Sequence, residues 1–453
     1  MWRSSLALGM LFFSTMASAA EPGWKAGFGR SKITPEHLMW MSGYGARTAP
    51  AEGKETELWA KAIALEAPDG KRLVLVSLDL VGIGREISLR VCKLIQQKYQ
   101  LPREAVVLEV SHTHCGPVVG TNLRCSMYLL DETQMQLVQA YTEGLPGLVL
   151  RAVDAAMADL SPATLSQGVG EAVFAVNRRE NKEAEVPLLR AKGLLKGPVD
   201  HAVPVLAVRD SAGKLKGVLF GYACHATVMS YQKWSADYPG FASLDLEAAY
   251  PGATAIFFAG CGADQNPLPR RNIDLARGYG RQLADAVNAV IAKPMTPVAP
   301  EFAAVYREID LPLQEIPGRE AIVKDSLDAN KFVAARAKML LKMLETAGSL
   351  PTSYPYPVQT WRLGKDVALT ILGGEVVVDY SLRLKKELGP GTWVMGYAND
   401  VMAYIPSARV LKEGGYEGAT SMIYYGLPSI WGSKVEDLVI DEATRQARHV
   451  RGR

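Results

Sequence analysis

The sequence predicts an α/β domain built on a mixed sheet. Apolar runs of strand length alternate with longer amphipathic patterns. The composition, 48% hydrophobic and 21% charged over 453 residues, is that of an ordinary globular protein. Length and composition suffice for one large domain or two medium ones, and no repeat or low-complexity tract divides the chain.

The elements follow in order. The opening MWRSSLALGMLFFSTMASAAEP has Arg3, an apolar run from Leu6 to Phe13, and small residues at Ala17-Ser18-Ala19-Ala20. That is the pattern of a secretory signal peptide, so residues 1–20 are set aside and residues 21–453 are expected to be exported, to periplasm or medium. Arg72 to Asp79 reads as a buried strand and Glu86 to Tyr99 as an amphipathic helix. A strand is expected from Ala105 to Val110, then a helical stretch from Met135 to Ala158 interrupted by Pro146. Val203 to Val208 and Gly217 to Tyr222 read as neighbouring strands joined by Asp210-Ser211-Ala212-Gly213. Ala253 to Phe258 is a strand entering GCGADQNP, and Asn272 to Ala292 a helix. The proline-dense segment 293–301 marks a loop and a subdomain boundary. Beyond it come a strand (Ala303 to Leu311), a long charged helix (Arg319 to Thr346), the SYPYP segment and a strand from Val367 to Leu372.

Several function classes find no support. The net charge is +3 with no long Lys/Arg run, which argues against a nucleic-acid partner. No later segment is long and apolar enough for a transmembrane span. There is no GxSxG, Walker A motif or dinucleotide-type GxGxxG, and no CxxC for a thiolate zinc site. The five cysteines, Cys92, Cys115, Cys125, Cys224 and Cys261, leave at least one unpaired within the monomer. Cys115 and Cys125 are close enough to bridge, but connectivity stays open.

The chemistry concentrates at strand ends. In VSHTHCGPVVG, His112 and His114 would share one face of a continuing strand, as two imidazoles serving one ion or substrate do. His225, in GYACHATVMS, also follows a strand. Glu375, in ILGGEVVVDYSLRLK, stands where a helix is expected to start. Two imidazoles and an oxygen ligand would suit zinc. A hydrogen-bonded core histidine and a helix-dipole partner are the plainer readings of His225 and Glu375. Asp79 and Asp237 are candidates for orienting ligands, or ordinary strand-end carboxylates. The MLLKML stretch at 339–344 reads as buried helix core.

These stretches together resemble the neutral/alkaline non-lysosomal ceramidase family. AGFGRSKITP with MSGYGAR is similar to its opening, and VSHTHCGP to its THTHSGP signature. VNRRENK resembles its Asn-Arg segment, GYACHATVMS its Ala-Val-His segment, and LGGEVVVDYSLRLK its Gly-Glu segment. GYANDVMAYIPSARVLKEGGYEGATSM is similar to its two-tyrosine segment. The order is that of the family over nearly the whole mature chain. The resemblance implies a single large mixed-sheet zinc-hydrolase domain that cleaves an N-acyl amide through zinc-activated water, with ceramide or a related N-acyl lipid as the first substrate to consider. It implies zinc ligands at His112, His225, Glu375 and Tyr404. It gives proton transfer to His114 and oxyanion or substrate contacts to Arg178 and Tyr416.

Three departures qualify it. The family's Gly-Asp-x-Ser-Pro-Asn serine aligns with Asn266 in GCGADQNP, and an amide has no activatable hydroxyl. An acyl-serine route is therefore not carried over, whereas the zinc–water route survives. NRRENK lacks the family's continuing Ser-Pro-x-Ala-Tyr, so a different pocket wall is expected beside Arg178. The chain also stops about where the family's immunoglobulin-like domain would begin. The alternatives are a zinc amidohydrolase acting on a non-lipid N-acyl sugar or peptide, and a non-catalytic binding homologue. The expected partner is a small-molecule or lipid substrate; oligomeric state is left open.

Overall fold

The computed structural model describes residues 23–120, 122 and 128–452. The segment read as a signal peptide and Cys125 lie outside the described residues. Strands with near-continuous apolar sequence, such as Arg72–Leu78 (RLVLVSL) and Val106–Val110 (VVLEV), are buried along almost their whole length, as a strand covered on both faces must be. They belong to a mixed nine-stranded sheet. Its path runs Thr254–Ala259, Leu215–Tyr222, Ala202–Asp210, Ser161–Glu171, Trp24–Lys32, Trp59–Glu66, Arg72–Leu78, Val106–Val110, with Thr296–Val298 beside Ser161–Glu171. The first and last pairs on the path are parallel and the others antiparallel.

The two ends of this path are joined, the strand Thr254–Ala259 bonding to both Arg72–Leu78 and Val106–Val110. Ser77 Oγ donates to Phe257 O at 2.7 Å, and Ala259 N–H donates to Glu109 Oε1 at 3.0 Å. This stitching matters because the loops leaving Val106–Val110 and Thr254–Ala259 carry the VSHTHCGP and GCGADQNP motifs.

The helix Glu132–Ala158 lies across Trp24–Lys32. A Cβ on Gly29 would fall 2.2 Å from the Ala152 carbonyl oxygen, so glycine permits this close approach. The helix continues through Pro146, where an interruption was expected from the missing N–H. Pro146 and its neighbour Leu145 are buried on the packed face, and that packing outweighs the local propensity. The strand Ser161–Glu171 was not recognised because its sequence, SPATLSQGVGE, is polar, glycine-containing and half-exposed.

A second sheet orders Phe302–Pro312, Ser353–Leu363, Val367–Leu372 and Thr392–Met395, the last pair parallel. SYPYP forms the start of Ser353–Leu363. Its prolines precede Val358, where pairing to Val367–Leu372 begins, so the missing N–H groups cost no ladder bonds on that side. The long charged helix expected from Arg319 to Thr346 is two helices, Arg319–Asp325 and Lys331–Ala347. Asn330 separates them, its side chain capping Phe332 N–H at 3.0 Å. The MLLKML stretch packs in a small cluster around Ala337 and Leu340. One core joins the two sheets: Trp361, Leu369 and Trp393 share it with Val76, Leu108 and Phe258. Trp361 Nε1 also donates to Glu104 O at 2.7 Å.

Among the described residues, Cys92, Cys115, Cys224 and Cys261 are buried free thiols. No helix is long and apolar enough to cross a membrane.

Burial pushes the Glu109 carboxyl well above its usual range. Above the unfolded carboxyl's pKa of about 4.3, the folded chain therefore holds a proton that the unfolded chain has lost. The contribution to stability then falls as pH rises. Glu109→Gln keeps the acceptor for Ala259 N–H and removes this slope. In urea unfolding, its stability relative to the parent should be greater near pH 7 than near pH 4. A pH-independent difference would show that the Glu109 carboxyl titrates alike in the folded and unfolded chain.

Candidate active site

His112 follows Val106–Val110 but does not continue the strand. It takes a left-handed backbone conformation, φ 57°, uncommon outside glycine and a recurrent feature of functional sites. The shared-face argument for His112 and His114 is thus replaced by a turn that converges their rings. Their Nε2 atoms are 3.2 Å apart. The MSGYGAR loop backs His114: Tyr44 packs on its ring at 4.9 Å between centroids, and Arg47 donates to its carbonyl at 2.7 Å.

His225 follows Leu215–Tyr222 and is held by GCGADQNP. Its backbone N–H donates to Gln265 O at 2.9 Å and its Nδ1 pairs with Gly262 O at 2.8 Å. His112 Nδ1 pairs in the same way with Val81 O at 2.6 Å. A ring that donates Nδ1–H to a carbonyl presents an unprotonated Nε2. Backbone carbonyls therefore orient both rings. Asp79 instead accepts Trp59 N–H, and Asp237 accepts Met229 and Tyr238 N–H, so neither is the ligand-orienting partner considered from sequence.

Glu375 arrives from the second sheet. It lies in a two-residue parallel pairing, Glu375–Val376 with Tyr404–Ile405, in which Glu375 and Tyr404 are direct partners. It is not at a helix start, since the helix begins at Val378. The preceding Gly374 has φ 74°, and a Cβ there would meet Ile405 Cγ1 at 2.6 Å. Glycine is what lets the chain turn tightly enough to pair these two residues. Tyr425 donates to Glu375 Oε1, leaving Oε2 facing the Nε2 atoms of His112 and His225, 3.2 Å from each. Tyr404 Oη is 3.3 Å from His225 Nε2.

This donor set fits a cation. Glu375 Oε2 is buried without a hydrogen-bond donor, while two imidazole lone pairs face it. Such atoms repel one another in a low-dielectric site unless positive charge lies among them. Tetrahedral ligands with bonds of about 2.0 Å lie about 3.3 Å apart, close to the spacings found. His112, His114 and His225 each present a ligand atom to one cluster. Burial lowers the His225 pKa to about 4, helped by Arg178, and burial also holds His114 well below its usual value. For Glu375, burial raises the pKa, but His112 and His225 outweigh it and bring the carboxyl well below its ordinary range. The result is an ionised carboxylate at Glu375, with burial disfavouring protonation of His114 and His225.

Arg178 joins the cluster through a short antiparallel ladder, Ala175–Asn177 with Gln265–Pro267, that sets Val176 opposite Asn266. Its Nη1 donates to Asn266 Oδ1 at 3.3 Å, Nη2 to Tyr404 Oη at 3.1 Å and Nε to Glu417 at 2.7 Å. Burial alone would lower its pKa; Tyr404 and Glu417 hold it well above the usual value, so it stays charged. The Arg178 guanidinium lies 5.7 Å from the Tyr404 ring and 5.8 Å from that of Tyr416, which is 40% exposed. The eight residues to which the resemblance or its serine departure pointed thus meet in one place, while Asp79 and Asp237 do not join them. Tyr425, Glu417 and the Tyr397 ring, 4.3 Å from that of His112, were not foreseen. Nothing in their spacing marks them; they are set by packing across distant segments.

The model of the neutral/alkaline non-lysosomal ceramidase N-terminal region matches residues 24–290. The chain belongs to this family. The match takes in His112, His114, Arg178, His225 and Asn266, while Glu375, Tyr404 and Tyr416 lie beyond it. Neutral ceramidase of Pseudomonas aeruginosa is 30% identical over 246 residues, covering 52% of this chain and 36% of that protein. Neutral ceramidase 1 of Arabidopsis thaliana is 26% identical over 303 residues, covering 63% and 38%. These matches span little more than a third of the relatives' own length. The crystal structure of the Pseudomonas aeruginosa enzyme shares the fold, with a TM-score of 0.73 at 23% identity over 95% of this chain and 75% of that one. A structure described as "Ceramidase complexed with C2" superposes with the same TM-score at 21% identity.

Tyr425→Phe removes the hydroxyl that occupies Glu375 Oε1 and frees the carboxylate to rotate. Cation affinity, measured by competition with a chromophoric chelator, should fall about 10–100-fold with the melting temperature of the metal-free protein little changed. Unaltered affinity would show that Tyr425 does not position the ligand.

Proposed function

We propose that this chain hydrolyses an N-acyl amide bond with zinc as cofactor, and that family membership makes ceramide or a related N-acyl lipid the first substrate to test. The observation that carries the reading is the convergence of the two Nε2 lone pairs of His112 and His225 on Glu375 Oε2 at 3.2 Å. With Tyr404 Oη beside them, these residues would hold the ion. Zinc would lower the pKa of water towards neutrality and polarise the acyl carbonyl.

The chain's own groups supply the rest. His114, kept neutral by burial, takes a proton from the attacking water and passes it to the amine nitrogen as the C–N bond breaks. A carboxylic acid and a free amine leave, the acid then releasing its proton to solvent. Arg178 and the Tyr416 hydroxyl donate to the oxygen on which negative charge develops in the tetrahedral state. Asn266, held by Arg178, cannot be acylated like a serine, so attack by water is direct. Residues 1–20 are proposed to direct export. N-terminal sequencing of secreted protein should begin after Ala20, and retention of Met1 in it would refute this.

Fatty-acid release from short- and long-chain ceramides should be lost on chelation and return with zinc. Zinc-loaded protein that cleaves no N-acyl amide would leave only a binding role. His114→Ala should keep its zinc and lose about 10²–10⁴-fold in kcat; loss of zinc instead would make His114 a ligand.

A further inference from the structure

The cavity bordering Arg178, Asn266 and Tyr416 has a volume of about 630 Å³, and its outer wall is made of paired charges. Glu417 accepts from Arg178 Nε at 2.7 Å and from Arg179 Nη1 at 2.6 Å. Arg179 Nη2 reaches Glu413 at 2.9 Å, and Arg270 Nε reaches Glu183 at 3.1 Å. Among the described residues lining this space, Leu268 is the aliphatic exception, and it is itself buried.

Both sequence departures that bear on the pocket meet on this cavity. The stretch from Arg179 to Glu183, where the Ser-Pro-x-Ala-Tyr continuation is missing, builds its wall. Asn266, at the serine position, stands at its inner end. Asn266 Oδ1 is taken by Arg178, which leaves the amide Nδ2 to donate to an occupant.

A long hydrocarbon laid against these ion pairs would strip water from charged groups and return no hydrogen bonds. A hydroxylated or ionic group replaces that water with direct, charge-assisted bonds. Resting on the amidohydrolase reading above, we propose that the site selects N-acyl derivatives of a small polar amine, hydroxylated or charged, over those of a long-chain hydrocarbon base. The acyl carbonyl meets the metal-ligand cluster, and the polar amine portion occupies the cavity between Asn266 and the Arg270–Glu183 pair. Hydrolysis adds water across the C–N bond, giving the fatty acid and the free polar amine, with the acid's proton passing to solvent.

The test uses the zinc-loaded full chain and one acyl group on different amines: N-octanoylsphingosine, N-octanoylglucosamine, N-octanoylglutamate and N-octanoyllysine. Octanoate release gives kcat/KM for each. At least one polar amine should exceed octanoylsphingosine about tenfold or more. Removing the charges of the outer wall, Glu183→Leu with Arg270→Leu and Arg271→Leu since Glu183 accepts from both arginines, should lower that ratio at least about fivefold with zinc content unchanged. Octanoylsphingosine cleaved as well as or better than every polar amide would overturn the inference and leave the amidohydrolase reading standing. Release from none of the four by zinc-loaded protein would overturn the amidohydrolase reading, and this inference with it.

Discussion

A buried carboxylate oxygen held 3.2 Å from each of two imidazole nitrogens sets the terms for the rest of this structure. His112 Nε2, His225 Nε2 and Glu375 Oε2 are held together although each is an acceptor, and such a cluster persists only where the surrounding frame fixes every member. Most of that frame is the loop GCGADQNP. Gly262 orients the His225 ring, Gln265 holds its backbone, and Ala263 N–H reaches Val376 O at 3.1 Å, next to Glu375. Asp264 accepts from Val378 N–H at 2.9 Å and Asn177 Nδ2 at 3.2 Å. Burial raises its pKa to about 6. One eight-residue loop thereby ties together His225, the Glu375 segment and the Asn177–Arg178 strand.

The ligands are divided between the two sheets. The imidazoles leave parallel-paired strands of the larger sheet, whose end strands are joined through Glu109. The carboxylate and the tyrosine come from the smaller sheet's side, where a two-residue pairing sets Glu375 against Tyr404. Asn399, on the smaller sheet's side, donates its backbone N–H to Leu108 O at 2.6 Å and its side-chain amide to Gln359 at 3.0 Å. The site thus exists only when both sheets are packed, which couples metal affinity to the folding of the whole domain.

Charge is arranged in two zones. Near the ligands the groups are buried and few, with Arg178 supplying positive charge at the edge. Further out, Arg179, Arg270 and their glutamates form a wall of paired charges. The inner zone is where the proposed amide hydrolysis would occur, and the outer one offers hydrogen-bonding groups. The two zones share Arg178, whose three donor contacts run from Tyr404 to Glu417.

The chain alone determined the alternation of strands and helices, since burial on one or both faces imposes a hydrophobic period that can be read directly. It also marked His112, His114, Arg178, His225, Glu375, Tyr404 and Tyr416 through their motifs, and Asn266 through a departure from one. Other features were decided by packing. Pro146 sits inside a helix because its face is buried, and SYPYP is a strand because its prolines fall outside the doubly paired portion. Tyr425 reaches Glu375 across fifty residues, and Glu109 joins two strands that are remote in sequence and at opposite ends of the sheet order. The convergence of the two histidines likewise depends on a left-handed turn at His112 and on carbonyls from Val81 and Gly262. Periodicity and motifs carry local information. Which distant backbone atom a side chain meets depends on how the layers close, and that is decided only in three dimensions.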